Sequence, residues 1–321
     1  MSNNIEVLSA VHGIAPRSEE LLRLGGDVER GRSKQADYDE LIAEQTGDWL
    51  ELQTRAGIDI VENGKLHWQD HLRPIVKASQ GFAPDIDNAP VTRWFGDNRF
   101  YRQPTITGKL RLDYDRADEE LGSLGENISL LAPRSFAYLC RDDYPELPAE
   151  RNVQMLYSDL FFVLERQGVK RVLLEDYLPD DLLPTGSLSD TKLLASWCQD
   201  LQISLISPDK QSAITYDLGS KFGVSVEAPA LRQISAQPDY RRPNFNGSEL
   251  WHQVIDASST ATDELSVSTF PSELFRSLAP ARLVLTHNVD LESLPLTFAQ
   301  TKVKHLGEFA AQLRQVLETE V

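Results

Sequence analysis

The stretch RNVQMLYSDLFFVLERQGVKRVLLED, from Arg151 to Asp176, decides the fold class of this chain. Its first part, Arg151 to Gln167, has apolar residues at helical spacing, and Arg171 to Glu175 is an apolar run typical of a buried strand. A helix that leads into such a strand is the repeating unit of folds built on parallel sheets. The pattern therefore favours an α/β fold.

The same alternation recurs along the whole chain. Further helices are predicted at Asp37 to Ala56 and at Leu296 to Glu318. The predicted strands are Glu6 to His12, Ile58 to Glu62, Ile128 to Ala132, Arg171 to Glu175, Ile203 to Ser207, Val224 to Glu227, Leu265 to Thr269 and Arg282 to His287. About eight strands with intervening helices make a barrel. The sequence therefore predicts a single (β/α)8 TIM barrel over residues 1–321.

One connection is too long for this pattern. Residues 65–126 separate the second and third predicted strands, and long ordered excursions of this kind are usually functional. Within them, Thr105 to Tyr114 predicts a strand or hairpin, and Asp115 to Glu120 predicts a charged turn. We expect this long insertion after the second strand to lie over the barrel mouth.

Composition excludes several classes of protein. The balance of 41% hydrophobic and 25% charged residues is that of a globular chain. A net charge of −17 with scattered Lys and Arg argues against a nucleic-acid partner. No apolar run approaches the roughly 20 residues that span a membrane, and the N-terminus lacks a signal-like segment, so a cytoplasmic location is expected. Cys140 and Cys198 are too few for a disulfide framework.

Polar residues stand at the predicted carboxyl ends of the strands, where barrel enzymes carry their active residues. Glu175 and Asp176 are adjacent, so their side chains should point in opposite directions, one of them into the barrel mouth. A carboxylate there can bind a substrate ammonium or act as a base. Ordinary solvation of strand ends is the competing interpretation. The strand-end set is His12, Glu62, Asn63, Arg134, Glu175, Asp176, Ser207, Asp209, Glu227, Thr269, His287 and Asn288.

Five segments resemble the cobalamin-independent methionine synthase superfamily. They are QTRAGIDIVENG at Gln53 to Gly64, HWQD at His67 to Asp70, TRWFGDNRFYRQP at Thr92 to Pro104, HGIAPRSEELL at His12 to Leu22, and VDLESLPLTFAQTKVKHL at Val289 to Leu306. Their order covers nearly the whole chain. The resemblance is to single-barrel, archaeal-type members, or to the amino-terminal half of the two-barrel enzymes.

The resemblance implies a barrel that serves methionine biosynthesis by transferring a methyl group from a folate to the thiol of homocysteine. Zinc in the family holds that thiol as its thiolate, which supplies the nucleophile at neutral pH. The family's zinc ligands are a His-x-Cys pair, a Glu and a Cys. These align with Ser207 and Asp209, with Glu227, and with Val289, so only Glu227 survives.

A zinc cofactor is therefore implied by the family but lacks its Cys ligands here, and no metal-binding residue is predicted. Asp209, Glu227 and His287 could form an O,O,N set, but such a set does not reproduce a soft thiolate site. Two other family motifs also change. D-G-E/Q becomes Asn63, Gly64 and Lys65, and D-E-P becomes Glu175, Asp176 and Tyr177.

Several residues are predicted to carry function in consequence. Glu175 and Asp176 are expected to handle a substrate amine, and with Glu227 they form the predicted catalytic set. His12 and Arg17 are expected to contact an anion. The remaining predicted substrate-binding residues are Trp94, Asn98 and Arg102, which with Phe95 form a cover or stacking surface, and Asn63, Ser207 and His287 at strand ends.

Three kinds of protein fit these features. The first is a methionine-synthase-like methyltransferase, or a derivative that keeps binding of an amino acid or folate-like molecule without the thiolate zinc site. The second is a non-catalytic barrel subunit that partners a zinc-bearing paralogue. A homo-oligomer is the other assembly that is expected. The third is a metal-free acid–base enzyme on the same scaffold, since fold alone does not determine chemistry.

Overall fold

The computed structural model describes residues 5–95, 99–178, 201–206, 222–225, 249–272, 275 and 280–319. The strands in these ranges are β1 (Glu6–Ser9), β2 (Ser79–Phe82), β3 (Val91–Arg93), β4 (Phe100–Arg102), β5 (Thr105–Leu112), β6 (Asn127–Leu131), β7 (Arg141–Asp142), β8 (Arg171–Glu175), β9 (Gln202–Ile206), β10 (Phe222–Ser225), β11 (Glu249–Ile255) and β12 (Arg282–His287). The helices are α1 (Glu19–Glu29), α2 (Gln35–Arg55), α3 (Arg73–Lys77), α4 (Tyr114–Leu121), α5 (Pro133–Leu139), α6 (Ala149–Arg166) and α7 (Leu296–Thr319). The predicted α/β class is confirmed.

One compact unit combines Met1–His67 with Lys210–Val321. The strands described in this unit are parallel and lie in the order β1, β12, β11, β10. Helices α2 and α7 approach closely where Gly307 of α7 meets the end of α2. A Cβ at Gly307 would lie 1.8 Å from the carbonyl oxygen of Ala56, so only glycine permits this approach.

The segment Gln53 to Gly64 has a structural role in this unit. The side-chain amide of Gln53 donates to the Glu62 carbonyl at 2.7 Å, and its oxygen accepts from the Glu62 N–H at 3.1 Å. Asp59 accepts from the N–H of Ser9 in β1 at 2.7 Å. The strand predicted at Ile58 to Glu62 is reduced to one parallel bridge, Ala10 with Ile60. Backbone bonds join Ile60 to Ser9 and Val11, whereas side chains bind the N–H groups of Ser9 and Glu62 on either side.

The second compact unit is Trp68–Asp209. It contains the parallel strands β6, β8 and β9 in that order, and β8 is buried from Val172 to Glu175. Strands β2, β5 and β7 form a separate small sheet, and β3 pairs with β4 in an antiparallel hairpin. The predicted strand at Thr105 to Tyr114 is confirmed as β5.

One predicted strand is wrong. Leu265 to Thr269 contains a 3-10 turn at Val267–Thr269. The strand that pairs with β12 is β11, which ends earlier in the chain, at Ile255. Strand β11 is not recognised in the sequence as a run of apolar residues, because some of its buried side chains are polar. Glu249 pairs with Arg282 at 3.2 Å and accepts from the indole of Trp251 at 3.3 Å, so its burial is compensated.

The predicted charged turn at Asp115 to Glu120 is also wrong, since the segment lies in helix α4. Asp113 caps the helix by accepting from the Arg116 N–H at 3.3 Å. Ala117 and Leu121 are its buried residues. Two apolar positions among charged residues are too few to indicate a helix from the sequence.

No helix in the described part of the chain is long and apolar enough to cross a membrane.

Replacing Gln53 with leucine tests the role of its side-chain amide. We expect Gln53→Leu to lower the free energy of unfolding by about 2–4 kcal/mol, because the buried N–H and C=O of Glu62 lose their partners. Gln35→Leu, at the exposed start of the same helix, is the matched control and should change stability by less than about 0.5 kcal/mol. Urea titration followed by circular dichroism measures both, and equal stability of the two variants would contradict this role.

Candidate functional site

Glu175 ends strand β8 as a fully buried carboxylate. The hydroxyl of Tyr177 donates to its Oε2 atom at 3.0 Å. A ring nitrogen of His71, which is itself buried, lies within 4.8 Å of a Glu175 carboxylate oxygen. An ionised carboxylate is expensive to bury unless donors or cations surround it. Glu175 is thus placed to accept a proton or to bind a cationic group.

Asp176 is the next residue and has different partners. It accepts from Arg134 Nη2 at 2.6 Å and from the Ser135 hydroxyl at 2.6 Å. Ser135 Oγ in turn accepts from the N–H of Tyr177 at 2.8 Å. Asp176 therefore holds the first turn of α5 to the segment after β8. The role in amine binding that the sequence suggests for both carboxylates stays a prediction.

Not every N–H group of Arg134 has a hydrogen-bond partner among the described residues. Its Nη2 atom contacts Asp176 and, at 3.4 Å, the carbonyl oxygen of Leu178. Its Nε and Nη1 atoms are buried and make no hydrogen bond in the part of the chain that the structure describes. A buried guanidinium with unused donors suits a planar acceptor such as a carboxylate.

An aromatic surface adjoins Glu175 through Tyr177. Trp94 is buried, and its indole meets the Tyr177 ring edge-on at 5.6 Å between centroids. Phe95 stacks on Tyr177 at 5.1 Å. The Arg99 guanidinium lies 5.3 Å from the Trp94 ring and 5.9 Å from the Tyr177 ring, within cation–π range. The position of Trp94 is compatible with its predicted stacking role, which stays a prediction.

The other predicted members of this surface stand differently. Arg102 Nη1 donates to the carbonyl oxygen of Ala89 at 2.8 Å, so this side chain braces the β3–β4 hairpin. Asn98 lies outside the described residues.

In the other unit, His12 and His287 form a stacked pair with ring centroids 4.0 Å apart. The backbone N–H of His12 donates to Nε2 of His287 at 3.1 Å, and Nδ1 of His287 lies 2.9 Å from the Val289 carbonyl oxygen. Because Nε2 accepts, the ring proton is on Nδ1 and the imidazole is neutral. Nε2 of His12 lies 3.1 Å from the carbonyl oxygen of His287, which makes the pairing reciprocal.

Burial lowers the pKa of His287 well below 6.5, and the adjacent His12 lowers it further, against smaller opposing effects of the Val289 carbonyl and Asp290. Both nitrogens of this ring are bonded to the backbone. His287 therefore does not fit the nitrogen position of the O,O,N metal set considered from sequence, and Asp209 and Glu227 lie outside the described residues. Cys140 offers no thiolate, because burial raises the pKa of its thiol and it donates to the Phe136 carbonyl at 3.3 Å.

Lys65 is a buried ammonium paired with Glu62 at 3.1 Å. Its backbone has φ +47°, a conformation rare outside glycine, and its N–H donates to the side chain of Asn63 at 3.0 Å. Glu62 partners the Lys that stands at the family's acidic position, so the local charge reversal is compensated within the same loop.

Arg17 of the predicted anion site is also engaged. It donates to Glu292 at 3.1 Å and to the Leu66 carbonyl at 3.2 Å. Ser207 and Glu227, predicted from the strand ends, lie outside the described residues.

Sequence reasoning missed three residues at the aromatic surface. They are Tyr177, Arg99 and Tyr138, whose ring stacks on Phe95 with 5.9 Å between centroids. Tyr177 stands where the family has proline, so this departure was an available signal. Tyr138 is largely exposed on α5 and carries no signal in the local pattern.

The described strands and their ends define an α/β protein with parallel strands and a buried carboxylate beside aromatic rings. No protein-family model matches the chain. A 5-methyltetrahydropteroyltriglutamate–homocysteine methyltransferase of Streptomyces griseus is 24% identical over 234 residues, which cover 67% of this chain. The chain spans only 29% of the length of that relative.

Two solved structures share the fold over nearly their full lengths. A putative vitamin-B12-independent methionine synthase of Listeria monocytogenes is 13% identical with a TM-score of 0.63, covering 96% of this chain and 98% of its own. A B12-independent methionine synthase of Shewanella sp. W3-18-1, in complex with selenomethionine, is 13% identical with a TM-score of 0.67, covering 98% and 99%. The resemblance to the cobalamin-independent methionine synthase superfamily is confirmed.

The histidine pair predicts a specific pH dependence of stability. The pKa of His287 is lower in the folded protein than the 6.5 of a free imidazole, so the unfolded chain binds a proton first as pH falls. Stability should be intact above about pH 6.5 and fall by up to about 1.4 kcal/mol per pH unit between about pH 6.5 and 5.

His287→Gln should flatten this slope, whereas His305→Gln, which removes a partly exposed histidine of α7, should retain it. Urea unfolding at a series of pH values measures the slopes. Identical slopes for wild type and His287→Gln would refute the assignment.

Proposed function

We propose that this protein is a methionine-synthase-like (β/α)8 barrel that binds an amino-acid substrate at Glu175, a derivative of the methyltransferases in which the thiolate zinc site is lost. The folate-like methyl donor of the family would bind at the aromatic surface beside Trp94 and Tyr177. The parallel strands and the likeness to solved methionine synthases support the barrel.

The observation that carries the proposal is the full burial of Glu175 at the end of β8. A buried carboxylate in that position, which accepts from the Tyr177 hydroxyl among its contacts, is suited to bind a substrate ammonium.

Arg134 supports an amino acid as the substrate class. It is the second residue of α5, two residues after Ala132, whose N–H donates to the Glu175 carbonyl at 2.8 Å. Its unused donors are matched to a carboxylate, while Glu175 is matched to an ammonium. An α-amino acid such as homocysteine or methionine carries both groups on one carbon.

The acceptor thiol is the point at which this chain departs from the family. The aligned ligand positions Ser207, Asp209 and Val289 contain no sulfur, and His287 is committed to the backbone. Zinc would supply a thiolate at neutral pH in the family. The residue types at these aligned positions do not match that site, so the proposal retains substrate binding and assigns no transfer step to a metal.

Glu175→Gln should weaken binding of L-homocysteine and L-methionine about 10-fold to 100-fold, because a charge-assisted hydrogen bond is lost. Isothermal titration calorimetry measures the dissociation constants. Glu126→Gln removes an exposed carboxylate of the same unit and should leave them unchanged. Failure of the wild-type protein to bind either amino acid, or equal binding by both variants, would remove the support for this function.

Metal analysis tests the loss of the zinc site directly. Protein purified without chelators should contain far less than one zinc per chain by plasma mass spectrometry, since Asp209 and Val289 stand at the positions aligned with the family's cysteine ligands. One tightly held zinc per chain would show that the alignment of the ligand strands is wrong.

A further inference from the structure

Phe95 lies between two tyrosine rings that are almost parallel to it. Its ring centroid is 5.1 Å from that of Tyr177 with 14° between the planes, and 5.9 Å from that of Tyr138 with 9° between the planes. The edge of Trp94 closes one side at 5.3 Å. Three stacked rings in this order are the arrangement in which a flat ligand is held between two aromatic walls.

The backbone of Phe95 is strained where it delivers this ring. Its φ of +40° falls in the left-handed region, which a bulky residue seldom occupies. Strain of this kind persists when surrounding interactions impose it. Here the stacking of Phe95 on Tyr138 and Tyr177 is the interaction that offsets the strain. Phe95 is only half-buried and Tyr138 is largely exposed, so the stack opens towards solvent.

We propose that Tyr138 and Tyr177 form a binding slot for a planar conjugated ring and that Phe95 is its internal occupant. A ligand enters by exchanging its own ring for that of Phe95, and both tyrosine faces are retained. Tyr177 replaces the proline of the family motif, so this slot belongs to this chain rather than to the superfamily.

The chemistry of the walls defines the ligand class. Two phenol rings and the nearby Arg99 guanidinium favour a flat, polar heteroaromatic ring over a saturated one. Tyr177 also donates its hydroxyl to Glu175, so the inner wall of the slot contacts the buried carboxylate directly. A ring that replaces Phe95 would therefore lie one side chain away from Glu175.

The slot rests on ring geometry, whereas the expectation that its ligand is a pterin rests on the proposed function. The probes are therefore 6-methylpterin, adenine as a second planar heteroaromatic molecule, and myo-inositol as a non-planar ring. Binding to wild type, Phe95→Ala and Tyr138→Ala is measured by isothermal titration calorimetry, with thermal melts to confirm folding. Phe95→Gly, which also relieves the positive φ, is a second variant in case the alanine protein is poorly folded.

Because Phe95 competes for the slot, its removal should tighten binding of a planar probe at least 10-fold, and Tyr138→Ala should weaken it. Myo-inositol should not bind any variant. Weaker or unchanged binding of both planar probes in the Phe95 variants would overturn the proposal, because Phe95 would then be a contact or a packing residue. If adenine gains affinity and 6-methylpterin does not, the slot is supported and the folate-like donor of the proposed function is rejected.

Discussion

A carboxylate that is withdrawn from water must be given hydrogen-bond donors, and the pair at the end of β8 imposes this requirement twice. Asp176 meets it with Arg134 and Ser135. Ser135 also accepts from the N–H of Tyr177, which orients Tyr177 towards both Glu175 and the aromatic surface. The arrangement of the whole site therefore depends on how Asp176 is satisfied.

The sequence predicts the fold where side-chain burial follows a simple period. Strand β8 has a continuous apolar run and is found at its predicted bounds, Arg171–Glu175. Strand β11 is missed because Glu249 and His252 are buried inside it, and only the folded structure reveals that Glu249 is paired with Arg282. Helix α4 is missed because a two-residue apolar face is too small to stand out among charges. The closure of a barrel stays a prediction.

The candidate site is predictable in its members more than in its contacts. Glu175 follows from its position at a strand end, but its bond to Tyr177 depends on a side chain that turns back two residues along the chain. His12 and His287 are each predicted from strand ends, while their pairing requires β1 and β12 to be neighbours. Ser207 and Glu227 lie outside the described residues.

That pairing also constrains the order in which the chain can fold. His12 and His287 are 275 residues apart, so a ribosome that adds about 5–20 residues per second needs about 15–55 s to travel from one to the other. During that time β1 has no β12 to pair with, whereas the continuous unit Trp68–Asp209 is synthesised in full before β12 is made. The nascent chain thus carries an unpaired strand edge for most of its synthesis, which is when chaperones would be needed most.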